Sequence, residues 1–180
     1  MKNSKQKPSS WHEINWKDAY NRLGEIQQNI VEATLSKDKD KIKLLQRKLV
    51  NSFSARAISI RKVISNKGSL TAGVDKVLWE TPKDKLEAIK ELGEIAHNPN
   101  GYKASPVKRV MIPKPNGQGE RPLGIPTMTD RAVQALYHMA VDPVIESGSD
   151  LNSYGFRKHR STLDAIATLR NLLDKAVSPQ

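Results

Sequence analysis

The chain contains no cysteine. Neither a disulfide framework nor a cysteine-based zinc site is therefore possible. It also contains no apolar run near the roughly 18 residues of a membrane span. Residues 1–10 are polar and basic and lack the apolar core of a signal peptide. These absences point to a soluble, cytoplasmic protein. Acidic residues are scarce beside basic ones, 19 against 30, which gives a net charge of +11 and a pI near 9.8. No two aspartates are adjacent, and the four histidines (His12, His97, His138, His159) have no metal-ligand spacing. Asp142 and Glu146 stand four apart near a helix end and read as surface acids.

What is present is positive charge, unevenly spread. Residues 1–70 hold 15 basic and 6 acidic residues, residues 71–100 hold 4 and 6, and residues 101–180 hold 11 and 7. The first third thus carries most of an electrostatic footprint suited to a polyanion, of which nucleic acid is the commonest. With 180 residues, 37% hydrophobic content and a mean hydropathy of −0.59, the chain suffices for one domain with a helical arm. Its core should be thin, or completed by a partner surface.

Periodicity predicts mostly helix. Trp16, Ala19, Leu23, Ile26, Ile30 and Ala33 form one stripe at helical spacing. After Ser36–Lys39 a second stripe runs through Ile42, Leu45, Leu49, Phe53, Ala57, Ile60 and Ile64. Read as one helix of about 28 residues at 1.5 Å each, it would be about 40 Å long and antiparallel to the first. It carries Arg56, Arg61 and Lys62, with Lys67 just beyond. Thr81-Pro82-Lys83-Asp84 opens another helix, with a cap, a first-turn proline and an acid at the positive end. A helix is expected over about 129–141, a loop over 147–153, and a last helix after Ser161-x-x-Asp164. Residues 1–10 and 177–180 read as a disordered tail and a frayed end.

Between these helices lies Val107–Pro126, two extended arms around a Gly-rich turn. Val107, Val110 and Ile112 are strand formers, and Leu123 and Ile125 alternate on the return. Asn116-Gly117 is a turn signal. A hairpin would bring Lys114 and Arg121 together at its tip, with Lys108 and Arg109 further down. Two cations so placed suit a phosphate chain, Arg gripping bidentately; a plain solvated hairpin is the alternative.

These words, Lys-Arg-Val-x-Ile-Pro-Lys-Pro-Asn-Gly and then Arg-Pro-Leu-Gly-Ile-Pro-Thr-x-x-Asp-Arg-Ala-x-Gln-Ala-Leu, resemble the first block of bacterial group II intron reverse transcriptases, the intron-encoded maturases. Ser153-Tyr154-Gly155-Phe156-Arg157, Arg160-Ser161 and Asp164-Ala165-Ile166 resemble the next block. Trp11, Ile14-Asn15-Trp16, Leu44-Leu45-Gln46, Ser54-Ala55-Arg56 and Thr71-Ala72-Gly73-Val74-Asp75 resemble the family's N-terminal extension. The resemblance implies an α+β, mostly helical fold: an RNA-binding helical hairpin over residues 11–70, then part of a fingers subdomain with a β-hairpin over 71–180. It implies that Lys114 and Arg121 grip the nucleotide triphosphate. It also implies that Arg157 and Arg160, with Lys108, Arg109, Arg56, Arg61, Lys62 and Lys67, meet template or intron RNA.

Two departures stand out. Six residues rather than the usual five separate Lys114 from Arg121, and one of them is Glu120. Lys158-His159 replaces the usual Pro-Gly after Phe-Arg. The family's metal-binding carboxylates lie in later blocks that this sequence does not contain. Hence no cofactor is expected in this chain, magnesium only in a complete enzyme, and no polymerase activity from the chain alone. A separate palm-and-thumb polypeptide is then a possible partner. A stand-alone RNA-binding splicing cofactor and the product of a decayed gene remain open as alternatives.

Overall fold

A computed structural model of the chain describes residues 8–177. Its architecture is α+β and mostly helical, as expected. The order is α1 (Trp16–Leu35), α2 (Lys39–Val50), α3 (Phe53–Ile64), α4 (Pro82–His97), β1 (Lys108–Pro113), β2 (Glu120–Ile125), α5 (Met128–Gly148) and α6 (Thr162–Val177). Single 3-10 turns occupy Trp11–Glu13, Lys67–Leu70 and Pro99–Gly101. Most of the expected N-terminal tail, residues 1–7, and residues 178–180 lie outside the described residues. The tail reading fails at residues 9 and 10: Ser10 caps the first turn in a capping box with Glu13, whose carboxylate also accepts from Ser9.

The expected long second helix is two helices. Asn51 closes α2, its N–H and side-chain amide both donating to Arg47 O, and Ser52 opens α3 by accepting from Ala55 N–H at 3.1 Å. A side-chain oxygen that serves the first free amide of a new helix competes with continuation of the old one. The break lets α2 lie against α1 while α3 turns into the centre. Seven of the twelve α3 residues are buried, which fits a helix apolar on more than one face. One core joins Leu23, Ile26 and Ile30 of α1 to Leu49, Ile58 and Leu136. The other joins Ile60 and Val63 of α3 to Trp11, Ile89, Leu92 and Met128. Helix α5 contributes to both, so the stretch after residue 70 packs directly on the N-terminal helices.

Helix α5 is longer than expected and runs through Pro143 to Gly148. Proline has no N–H, so the carbonyl four residues back loses its helical partner. That carbonyl belongs to Met139, and Gln27 of α1 donates to it at 2.9 Å; Gln46 of α2 donates to the next one, Ala140 O, at 3.0 Å. The freed acceptor is satisfied from a neighbouring helix, and the helix continues. Helix α4 opens as the residues predict, with Thr81 and Asp84 capping each other's amides and Pro82 in the first turn.

Helix α6 begins with the reciprocal Ser161–Asp164 cap. Its stripe of Leu163, Ile166, Leu169 and Leu173 is exposed, as are Val141 and Ile145 on α5.

Candidate nucleic-acid interface

The hairpin is the only sheet among the described residues. Its antiparallel register pairs Lys108 with Ile125, Val110 with Leu123, Ile112 with Arg121 and Pro113 with Glu120. Lys114 N–H donates to Gly119 O at 3.0 Å, and Gly117 N–H to Lys114 O at 3.0 Å. Gly117 (φ 69°) and Gly119 (φ 78°) take left-handed backbone, where a Cβ would be strained. The inserted residue is thus absorbed at the tip, and the ladder keeps its alternation.

Alternation fixes the faces. Lys114 lies two residues past Ile112, opposite Gly119, so it shares a face with Arg121 as its diagonal neighbour. Such diagonal Cβ atoms lie about 7–8 Å apart. Glu120 is on the opposite face, so the extra acid does not come between them. Both cations are exposed, and neither side chain makes a hydrogen bond or ion pair among the described residues. Lys108 belongs to the same face and Arg109 to the other.

The hairpin root is fixed from two sides. Tyr102 donates its hydroxyl to Asp130, which is 4% exposed; Thr127 Oγ1 donates to the same carboxylate at 2.6 Å and accepts from Asp130 N–H at 3.1 Å. Burial first, and the Asp130 carboxylate second, hold the Tyr102 phenol above the usual tyrosine range. Arg131 donates to Pro126 O at 3.0 Å, Gly68 O at 2.7 Å and Thr71 O at 2.5 Å, tying the 67–71 turn to the end of β2. Gly73 completes the join: a Cβ there would stand 2.8 Å from Thr127 N and Cα. A groove of about 460 Å³ remains between α3, α5 and β2, with Lys62, Asn66, Gln134 and His138 at its edge and Leu123 and Ile125 against it. Tyr102 and Arg131 were not singled out from the sequence. The only signal is the Asp130-Arg131 pair at the start of α5, directly after the hairpin.

The other expected cations divide into two groups. Lys62 and Lys67 are exposed and unpaired, and Arg61 is stacked on aromatic rings. Arg56, by contrast, is turned inward. It donates to Ser52 O (3.3 Å), Asn51 O (3.4 Å) and Ile89 O (3.2 Å), and burial lowers its pKa. Its guanidinium occupies the space that a Cβ on Gly93 would need. It secures the α2–α3 break against α4.

Arg157 is also engaged. Nε donates to Glu146 Oε1 at 3.0 Å, a terminal nitrogen to Oε2 at 2.6 Å, and the other to Asp150 O at 2.7 Å. That fork holds Glu146 below the usual carboxylate range. Arg160 donates to Leu151 O and Ser153 O and lies over the Tyr154 ring. Lys158 pairs with Asp142. The two α5 acids thus hold the 149–161 loop, and among the described residues no group of three acids or histidines gathers as a metal site.

The loop carries backbone strain at two residues. His159 has φ 58° and Phe156 φ 60°, left-handed values that bulky side chains rarely adopt. His159 is exposed, and its ring makes no hydrogen bond among the described residues. His159→Gly should therefore stabilise the protein. Relief of about 1–2 kcal/mol of left-handed cost exceeds the added unfolded-chain freedom of about 0.4–1 kcal/mol. A rise of about 2 °C in the melting temperature is expected; a fall would show that the loop does not need a glycine there.

The chain is similar to several known proteins. A family model described as the N-terminal domain of reverse transcriptase matches residues 11–92. Protein YkfC of Escherichia coli (strain K12) is 40% identical over 114 residues, which cover 63% of this chain and 30% of that protein. Group II intron-encoded protein LtrA of Lactococcus lactis subsp. cremoris is 30% identical over 118 residues, covering 63% of this chain and 18% of LtrA. The Putative COX1/OXI3 intron 2 protein of Saccharomyces cerevisiae is 30% identical over 126 residues, 70% of this chain and 14% of that protein. The chain therefore spans less than a third of each of these relatives. These matches support an N-terminal part of a group II intron-encoded reverse transcriptase or maturase, which is what the chain is similar to.

Proposed function

We propose that this chain is the RNA-holding and nucleotide-gripping part of a group II intron reverse transcriptase. Residues 11–70 serve as the RNA-binding extension and residues 71–180 as the fingers. In this reading Lys114 and Arg121 hold the triphosphate of an incoming nucleotide. Lys62, Lys67, Lys108 and Arg109 meet the backbone of template or intron RNA. The observation that carries it is the hairpin tip: two unpaired cations on one face of a ladder, with the neighbouring acid on the other. Arg56, Arg157 and Arg160 act instead through the fold, shaping the surfaces from which the other cations project.

The acids that would hold magnesium are supplied from outside these residues, because Asp142 and Glu146 are occupied by Lys158 and Arg157. A palm-and-thumb polypeptide, in cis or in trans, would seat on the uncovered apolar stripe of α6 and on Val141 and Ile145. The test is reconstitution. Mixed with a palm-and-thumb polypeptide bearing those acids, the chain should support primer extension. Lys114→Ala and Arg121→Ala should each raise KM for the nucleotide about 10–100-fold, the loss expected for a charge-assisted hydrogen bond of about 1.5–3 kcal/mol. RNA affinity should change little. Equal losses in both assays would refute the division of labour between tip and arm.

A further inference from the structure

We propose that Arg61 is a preorganised phosphate fork, held open for an RNA phosphodiester by Trp16 and Tyr20, which act as positioning residues. The inference rests on the RNA-binding reading and adds the manner of binding. The Arg61 guanidinium carbon lies 4.5 Å from the Trp16 ring centre and 5.8 Å from that of Tyr20. Trp16 and Tyr20 are one turn apart on α1, so their side chains share a face. Arg61 reaches them from the last turn of α3.

The support continues behind the rings. Trp11, 8% exposed, meets Trp16 edge-on at 4.9 Å, and the Ser10–Glu13 capping box fixes the turn that carries Trp11. Two of the three tryptophans of the chain are thus spent on bracing one guanidinium.

What makes the arrangement a site rather than a packing contact is the other half of the guanidinium. Ring stacking satisfies its faces and leaves its N–H edges unused. Among the described residues the Arg61 guanidinium makes no hydrogen bond and no ion pair, unlike those of Arg56, Arg131, Arg157 and Arg160, which are bound to carbonyls or carboxylates. The nearby acids are turned elsewhere. Glu13 is engaged with Ser9 and Ser10, and Asp18, two residues beyond Trp16, is about 200° round the helix. A planar, half-buried, rotationally restrained pair of donors matches the two oxygens of a phosphodiester, and the stacking has already removed much of the rotamer freedom that binding would otherwise cost.

The test uses the full chain and a single-stranded oligoribonucleotide. Arg61→Ala should weaken binding about tenfold and lower the salt slope by about one. Arg61→Lys should keep the slope yet recover only part of the affinity, because an ammonium is not a fork. Tyr20→Leu, at a half-exposed position that leaves the core intact, should lose severalfold in affinity with the slope unchanged. The Arg61 Nε–H resonance should shift on adding the oligoribonucleotide, and less on adding polyglutamate of equal charge. If wild-type chain binds with a steep salt slope while all three variants bind equally well, the fork is wrong and the RNA-binding reading stands. If wild-type chain does not bind RNA, that reading falls. The fork is then decided by inorganic phosphate: a shift of the Arg61 Nε–H keeps an anion site, and no shift removes it. A larger response to polyglutamate than to RNA would overturn the assignment to phosphate.

Discussion

Raising the salt concentration from about 50 to 200 mM should weaken RNA binding by about 10³–10⁵-fold, as expected when 6–10 phosphates are neutralised and their counterions released. The cations assigned to this make no side-chain hydrogen bond or ion pair among the described residues: Lys62, Lys67, Lys108, Arg109, Lys114, Arg121 and the stacked Arg61. Arg56, Arg157 and Arg160 should contribute little to the slope, since their donors already have protein acceptors. A double variant, Lys62→Ala with Lys67→Ala, should therefore flatten the slope by about two. Arg157→Ala should leave the slope unchanged while lowering the melting temperature. A salt-independent affinity would mean that binding does not run through the backbone at all.

Asp130→Ala should produce the largest loss of stability of any polar substitution in the chain, about 3 kcal/mol. It strands two hydroxyls at once, those of Tyr102 and Thr127, and each buried unsatisfied group costs about 1–3 kcal/mol. Tyr102→Phe should cost about 1 kcal/mol, because it removes one donor and leaves the carboxylate its Thr127 bond. The same contact sets a pH dependence. The folded state holds the Tyr102 proton more tightly than the unfolded chain, whose tyrosines titrate near pH 10. Its contribution is then complete below about pH 10 and is lost as the pH rises further toward the folded value. Urea midpoints followed from pH 7 to 11 should fall more steeply for wild type than for Tyr102→Phe. Parallel curves would show that this phenol does not couple ionisation to folding.

Helix α1 was legible residue by residue because its stripe is continuous and Asn15 and Ser36 bound it. The α2–α3 break was not, because Leu49 and Phe53 keep the helical period across it. Only the use of Asn51 and Ser52 as caps reveals that the chain changes direction. Helix α5 differs in the opposite sense, running on past the expected end near residue 141. Proline argues for a helix end, and the amide that serves the freed carbonyl belongs to Gln27, more than a hundred residues away in sequence.

The site shows the same contrast. The pairing of Lys114 with Arg121 follows from local turn chemistry and period-2 alternation, so the hairpin could be written down in advance. The fate of an arginine depends on which carbonyls the fold brings near it. Nothing in the wording around Arg56 or Arg157 distinguishes them from Arg61, yet two are consumed by the fold and one is held open. Tyr102 and Arg131 escaped notice for the same reason, their partners being a buried acid 28 residues on and carbonyls some 60 residues back.

The most direct test places template and primer together with the purified 180-residue chain, all four deoxynucleotides and magnesium, and measures retention and extension on the same sample. The account predicts a primer that is retained at low salt and not lengthened. A lengthened primer, or one that is not retained at all, would contradict it.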